Sequence, residues 1–291
     1  MGKYIKIIEV GPRDGLQNEP IETTASWKVE LIDHLSTTGM KHIEVGSFVS
    51  PKRVPQMAGS AKVFKGIKRK HGTSYAALVP NLKGLHLALE AGASEVAVFI
   101  SATEGFSRSN LNCTIAESLE KVTEIIAIAD HAKCPVRGYI SCITHCPFDG
   151  QVNPLHVSSL CERLLDTGCY EISLGDTIGK ASANDISALL DAVCTKIPVE
   201  NLAGHFHDTN NNALANVAAS LAYGIRSFDA SIAGLGGCPF APGAPGNLDT
   251  GKLVGFLERE GFETGINEQL LAKAEAFANK TIRQESLQTP E

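Results

Sequence analysis

The stretch Gly204-His205-Phe206-His207-Asp208 holds two histidines two positions apart. In a β-strand, residues i and i+2 face the same way. His205 and His207 would then aim at one point, about 6–7 Å apart along the strand. Neutral imidazole is the commonest protein metal ligand, so the pair suits half of a cation site. It suits equally a strand end whose rings find ordinary hydrogen-bond partners. Gly11-Pro12-Arg13-Asp14-Gly15 sets a cation beside a carboxylate on a turn shaped by Pro and Gly; alone it reads as a local salt bridge. The third such stretch, Gly234 to Asn247, has five glycines and three prolines in fourteen residues. Leu235-Gly236-Gly237 can hinge, and the prolines stiffen the far half. Long loops of this kind are usually functional, and lids exclude water from a site. On such a lid Cys238 is a candidate acid or base, because a thiol pKa can be tuned toward neutrality. Asn247 could equally cap the next helix, and most lone cysteines are inert.

These residues need a scaffold, and the apolar pattern supplies one. Short β-like runs cover Tyr4–Val10, His42–Gly46, Ser74–Val79, Glu95–Ile100, Pro135–Cys142, Tyr170–Leu174, Leu202–Asp208 and Ser227–Ile232. Helical stretches follow them at Thr24–Ser36, Ser60–Lys70, a segment capped by Asn81 and ending at Gly92, Thr114–His131, Pro154–Asp166, Asn184–Thr195, Asn212–Tyr223 and Thr250–Glu258. Strand–helix alternation means a parallel sheet. Eight units in roughly 250 residues predict a closed (β/α)8 TIM barrel. No linker-like tract interrupts the series, so we expect one catalytic domain over residues 1–291, with extra helices at about 261–280.

In such a barrel, chemistry sits at the C-terminal ends of the strands. Polar residues gather there: Arg13 and Asp14 after the first strand, Glu44 and Ser47 at the second, and Tyr139 and Ser141 at the fifth. Ser173 and Asp176 close the sixth, His205 and His207 the seventh, and Cys238 and Asn247 follow the eighth. Across that mouth Asp14 becomes a third ligand beside the two histidines. Two nitrogens with oxygen donors and no thiolate suit Mg²⁺, Mn²⁺ or Co²⁺ better than structural Zn²⁺. Cys142 and Cys146 flank His145, but one Cys-x3-Cys without a second pair is weak evidence for zinc.

Composition excludes other classes. The net charge of −6, with 20% charged residues, lacks the clustered basic face that nucleic acid needs. No apolar run is long enough to span a membrane, and MGKYIKIIEV lacks the apolar core of a signal peptide. Eight scattered cysteines without such a peptide argue against a disulfide framework. A cytoplasmic enzyme is expected.

Six blocks carry a resemblance: EVGPRDGLQNE (9–19), IEVGSFVSPKRVPQM (43–57), RGYISC (137–142), CYEISLGDTIG (169–179), HFHDT (205–209) and AGLGGCPFAPGAPGN (233–247). In this order they resemble the 3-hydroxy-3-methylglutaryl-CoA lyase family of metal-dependent (β/α)8 enzymes. The resemblance implies retro-aldol (Claisen-type) cleavage of (S)-3-hydroxy-3-methylglutaryl-CoA to acetyl-CoA and acetoacetate, a carbon–carbon lyase reaction of leucine and ketone-body catabolism. It implies a divalent ion, Mg²⁺ or Mn²⁺, held by Asp14, His205, His207 and Asn247. The implied catalytic set is Arg13, Glu44, Asp176, His205 and Cys238. The implied substrate contacts are Arg13, Ser47, Tyr139 and Ser173. In this reading His205, with Asp176 nearby, takes the hydroxyl proton as well as binding the ion; Arg13 stabilises the enolate, and Cys238 returns a proton to it. Glu44 orients Arg13 or tunes the metal shell. The implied partner is an acyl-CoA, and such barrels are often homodimers. The chain departs from the family at Asn210-Asn211-Asn212, at Ala241 to Pro245 and at Ile43 to Ser47. By the resemblance these positions flank the acyl pocket, so a longer or branched 3-hydroxyglutaryl-CoA is an alternative substrate. Two further readings compete: a related acyl-CoA condensing enzyme, and a barrel that binds acyl-CoA or metal without turnover.

Overall fold

The computed structural model describes residues 3–236 and 246–286. Among the described residues ten strands run in chain order: β1 Lys6–Glu9, β2 His42–Ser47, β3 Ser74–Leu78, β4 Glu95–Ser101, β5 Val136–Ser141, β6 His145–Cys146, β7 Gly150–Gln151, β8 Glu171–Asp176, β9 Leu202–Phe206 and β10 Ser227–Ala230. Eight of them close a parallel barrel in the order β1-β10-β9-β8-β5-β4-β3-β2. The expected (β/α)8 barrel is therefore present. The pair β6 and β7 forms a small antiparallel hairpin outside it, which the alternation did not predict.

The helices are α1 Ala25–Thr37, α2 Ser60–Gly66, α3 Leu82–Ala91, α4 Glu104–Phe106, α5 Ile115–His131, α6 Pro154–Thr167, α7 Ala183–Val193, α8 Ala213–Tyr223, α9 Thr250–Arg259 and α10 Glu268–Ser286. Side chains mark several of their starts: Thr24 accepts from the Trp27 amide, Asn81 from Gly84, and Thr114 forms a capping box with Glu117. In place of the extra helices expected at about 261–280, one helix starts at Glu268 and runs on to Ser286. It packs on α1, where Phe277 stacks on Trp27 at 5.4 Å and the Trp27 indole donates to Thr281.

The period-2 alternation of each strand divides two environments. Val136 and Ile140, Ile172 and Leu174, and Leu202 and Phe206 belong to the main apolar cluster together with helix residues such as Leu119, Leu160 and Val217. The residues of opposite parity form the barrel interior. There Arg137, Tyr139, Glu171, Ser173, His205 and Asp229 are all buried, and Leu78, Ala97 and Tyr139 form a separate small apolar cluster with Phe99 against it. A charged ladder thus runs inside the barrel beneath the mouth: Lys6 pairs with Glu171, Glu171 with Arg137, and Arg137 with Asp229.

Candidate active site

Asp14, His205 and His207 come together at the C-terminal mouth, each offering one ligand atom within 4.8 Å of the others. Among the described residues this is the group of His, Cys, Asp and Glu side chains fit to hold a metal ion. His205 Nε2 lies 3.7 Å from Asp14 Oδ2, and His207 Nε2 lies 3.8 Å from the same oxygen. The two ring centroids lie 5.4 Å apart where the chain leaves β9. Asn247 joins them through its amide nitrogen, 3.0 Å from Asp14 Oδ2, and through a bridge to His207. Burial would raise the Asp14 carboxyl, but the Arg13 guanidinium beside it holds it well below the usual carboxylate range. An ionised carboxylate beside two imidazoles is a donor set of the right chemistry for a hard or borderline divalent cation.

Arg13 and Asp14 ride on a π-helical turn, Gly11–Gly15, directly after β1. Such turns are rare and frequent at functional sites. Gly15 is required there: a Cβ on it would come within 2.5 Å of Ser231 Oγ. Arg13 is 6% exposed and wedged between two carboxylates. Its Nε donates to Glu44 Oε2 at 2.8 Å, and its Nη1 pairs with Asp14 Oδ1. Glu44 Oε2 also accepts from the Tyr139 hydroxyl at 3.4 Å, whereas Oε1 is buried with no hydrogen-bond partner among the described residues. Burial raises the Glu44 carboxyl, opposed by the Arg13 charge. Tyr139 is pushed well above its usual pKa by burial and by Asp229 and Glu44, so its hydroxyl stays a donor.

Arg13, Asp14, Tyr139, His205 and His207 line a cavity of about 850 Å³. Loop residues outside the expected site set line it too. They supply Arg53 after β2, Asn81 after β3, Asn110 from a second π-helical turn, Ser107–Leu111, and Asn112 just past that turn; Lys121 comes from α5.

Three expected roles do not match the placement. Asp176 does not partner His205. Its carboxylate accepts from the Lys180 and Ala181 amides at 3.2 and 2.9 Å, tying down the turn before α7. The carboxylate on His205 is Asp229, with Oδ2 3.1 Å from Nδ1. Ser173 is fully buried and turns its hydroxyl onto Asp229 at 2.8 Å, while the Ser47 hydroxyl accepts from the Val49 amide at 3.3 Å. Neither serine lines the cavity. Cys238 lies outside the described residues. Asp229 and Arg137 did have a signal: both are charged, mid-strand and of inward parity, a placement costly without a partner.

A closed parallel barrel with a carboxylate–imidazole cluster fit to hold a cation and a buried arginine at its C-terminal mouth has the layout of a barrel enzyme. The sequence matches the HMGL-like family over residues 4–278, and the chain belongs to that family. It is 52% identical to the 3-hydroxy-3-isohexenylglutaryl-CoA/hydroxymethylglutaryl-CoA lyase of Pseudomonas aeruginosa, over 94% of this chain and 91% of that protein. The structure of HMG-CoA lyase from Brucella melitensis superposes with a TM-score of 0.95 at 50% identity, covering 96% of this chain and 99% of that one. An HMG-CoA lyase from Acinetobacter baumannii, solved with coenzyme A and 3-methylmalate, gives a TM-score of 0.91 at 39% identity, covering 97% and 92%.

Proposed function

We propose that this protein is a hydroxymethylglutaryl-CoA lyase, acting as one catalytic domain that cleaves 3-hydroxy-3-methylglutaryl-CoA to acetyl-CoA and acetoacetate. One observation carries the reading: Arg13, a fixed cation, shares a cavity with the Asp14–His205–His207 cluster in a chain of this family. Asp14, His205 and His207 would hold a divalent cation, Mg²⁺ or Mn²⁺, with Asn247 completing the set. When bound, the ion supplies Lewis acidity to the substrate's hydroxyl and carboxylate oxygens.

The chain's own residues do the rest. Every nitrogen of Arg13 meets a carboxylate, so the guanidinium is locked in place while its remaining N–H groups serve the cavity. It stabilises the charge that C–C scission leaves on the thioester half. Glu44 fixes Arg13, and its second oxygen is a buried acceptor suited to the hydroxyl proton. His205 cannot be ligand and base at once: Nδ1 is taken by Asp229, which leaves Nε2 for one task, and we assign it to the cation. Cys238 returns a proton to the enolate carbon, giving acetyl-CoA.

The test is product analysis with metal-loaded protein. Acetoacetate and acetyl-CoA should appear in equal amounts, with no free thiol, and should vanish on chelation. Folded, Mn²⁺-loaded protein that forms no acetoacetate overturns the reading. A second reading keeps the chemistry and lengthens the 3-substituent. It is favoured by the name of the Pseudomonas aeruginosa relative and by the apolar patch of Leu78, Phe99 and Tyr139, which lines the same cavity. Comparable turnover of 3-hydroxyglutaryl-CoA thioesters with methyl and branched C6 substituents would support it; turnover of the methyl compound alone would exclude it.

A further inference from the structure

His205 is held from behind by a built arrangement. Asp229 stands opposite it in the register of β10 with β9, and the Asp229 side chain is fully buried. Its Oδ1 accepts from Arg137 Nη2 at 2.8 Å. Its Oδ2 accepts from Arg137 Nη1 at 3.2 Å and from Ser173 Oγ at 2.8 Å, and lies 3.1 Å from His205 Nδ1. Arg137 is pinned in turn: Nε donates to Glu171 at 2.7 Å, Nη1 donates to the Tyr139 hydroxyl at 2.8 Å, and the guanidinium lies 4.9 Å from the Tyr139 ring.

Simple neutralisation accounts for part of this. Lys6, Arg137, Glu171 and Asp229 form two positive and two negative charges in one ladder, buried except at its partly exposed Lys6 end. That balance does not require the fourth contact of Asp229, to imidazole. An ionised carboxylate only accepts hydrogen bonds. Arginine stays protonated in proteins, so Asp229 beside it has no reason to carry a proton. The hydrogen between Asp229 and His205 must then sit on Nδ1, which leaves the Nε2 lone pair facing Asp14.

We propose that Asp229 is a positioning residue: held by Arg137 and Ser173, it fixes His205 in the Nδ1–H tautomer and presents Nε2 as a ready donor atom for the divalent cation. This rests on the assignment of His205 as a ligand. An Asp on the strand after the ligand strand is then as much part of the cation site as the ligands, although it touches neither ion nor substrate.

Two measurements test it on the full chain. The first uses metal-free wild-type protein carrying ¹⁵N-histidine, observed by long-range ¹H–¹⁵N correlation at a pH where imidazole is neutral, with the His205→Ala spectrum to assign the signals. The expected pattern is a protonated Nδ1 and an unprotonated Nε2 on His205; a protonated Nε2 overturns the proposal. The second titrates Mn²⁺ into Asp229→Asn, His205→Ala and the double variant. Asp229→Asn should weaken Mn²⁺ about 10- to 100-fold, and adding it to His205→Ala should cost nothing more. If His205→Ala loses Mn²⁺ affinity while Asp229→Asn retains it, the positioning role falls and the ligand assignment stands. If His205→Ala binds Mn²⁺ as wild type does, the ligand assignment falls, and the proposal with it. Should Asp229→Asn fail to fold, the wild-type tautomer decides.

Discussion

Arg13 and Glu44 come from successive units of the barrel and meet as a buried pair: Arg13 Nε donates to Glu44 Oε2 at 2.8 Å, and Nη2 lies 2.7 Å from the same oxygen. A planar fork gripped by one carboxylate oxygen, with Asp14 on its other side, cannot be replaced by a point charge. In Arg13→Lys the ammonium could not satisfy Glu44 and Asp14 together. We expect kcat to fall about 10²- to 10³-fold, with Mn²⁺ affinity retained because all four proposed ligands remain. Undiminished turnover would remove Arg13 from the chemistry.

A ligand that binds only the folded protein stabilises it by mass action. Saturating metal-free protein with Mn²⁺ at a hundred times its Kd should add about 2.7 kcal/mol, read as a rise in Tm. His207→Ala, which deletes one of three clustered donors, should lose most of that rise. A wild-type Tm indifferent to Mn²⁺ would show that the cluster is not a cation site.

Glu9 gives a pH signature remote from the mouth. Its Oε1 accepts from the Gly11 and Ile232 amides at 2.8 Å each, and its Oε2 from Thr250 at 2.8 Å. Full burial raises its pKa from 4.5 to about 7, against the pull of these hydrogen bonds. A carboxyl with a raised folded-state pKa binds more protons folded than unfolded, so its contribution to stability is largest below pH 4.5 and is lost as pH rises to about 7. In Glu9→Gln that loss disappears. Relative to wild type, the variant should therefore gain stability between pH 5 and 8, by up to about 3 kcal/mol, in urea melts taken across the range. A difference independent of pH would mean that Glu9 folds ionised.

The Gly-rich loop has a neck where backbone meets backbone. A Cβ on Gly246 would fall 1.3 Å from the Gly236 carbonyl oxygen. Gly236 N donates to Glu19 Oε1 at 3.0 Å, and the Gly246 carbonyl accepts from the Asp208 amide at 2.7 Å. Gly246→Ala must spread this neck and shift the adjacent Asn247. We expect about 1–3 kcal/mol of destabilisation and weaker Mn²⁺ binding, with the barrel's far-ultraviolet circular dichroism intact. Wild-type stability and affinity would show that the neck opens freely.

Period and punctuation in the sequence determined much of this protein. Eight short β-like runs alternating with amphipathic stretches prescribe a parallel barrel. The i, i+2 spacing of His205 and His207 in one of those runs prescribes that they face one spot, and Asp14 follows the strand that must close the same barrel. Each conclusion depends on local geometry repeated along the chain. What only the tertiary structure decided is which side chains meet across strands. Asp229 reaches His205 because β10 pairs with β9 in that register, whereas Asp176, at the end of the strand on the other side, aligns with Phe206 and spends its carboxylate on backbone amides. Ser47 and Ser173 are likewise claimed by a loop amide and by Asp229. Register between strands distant in sequence depends on how the barrel closes, and no local pattern encodes it.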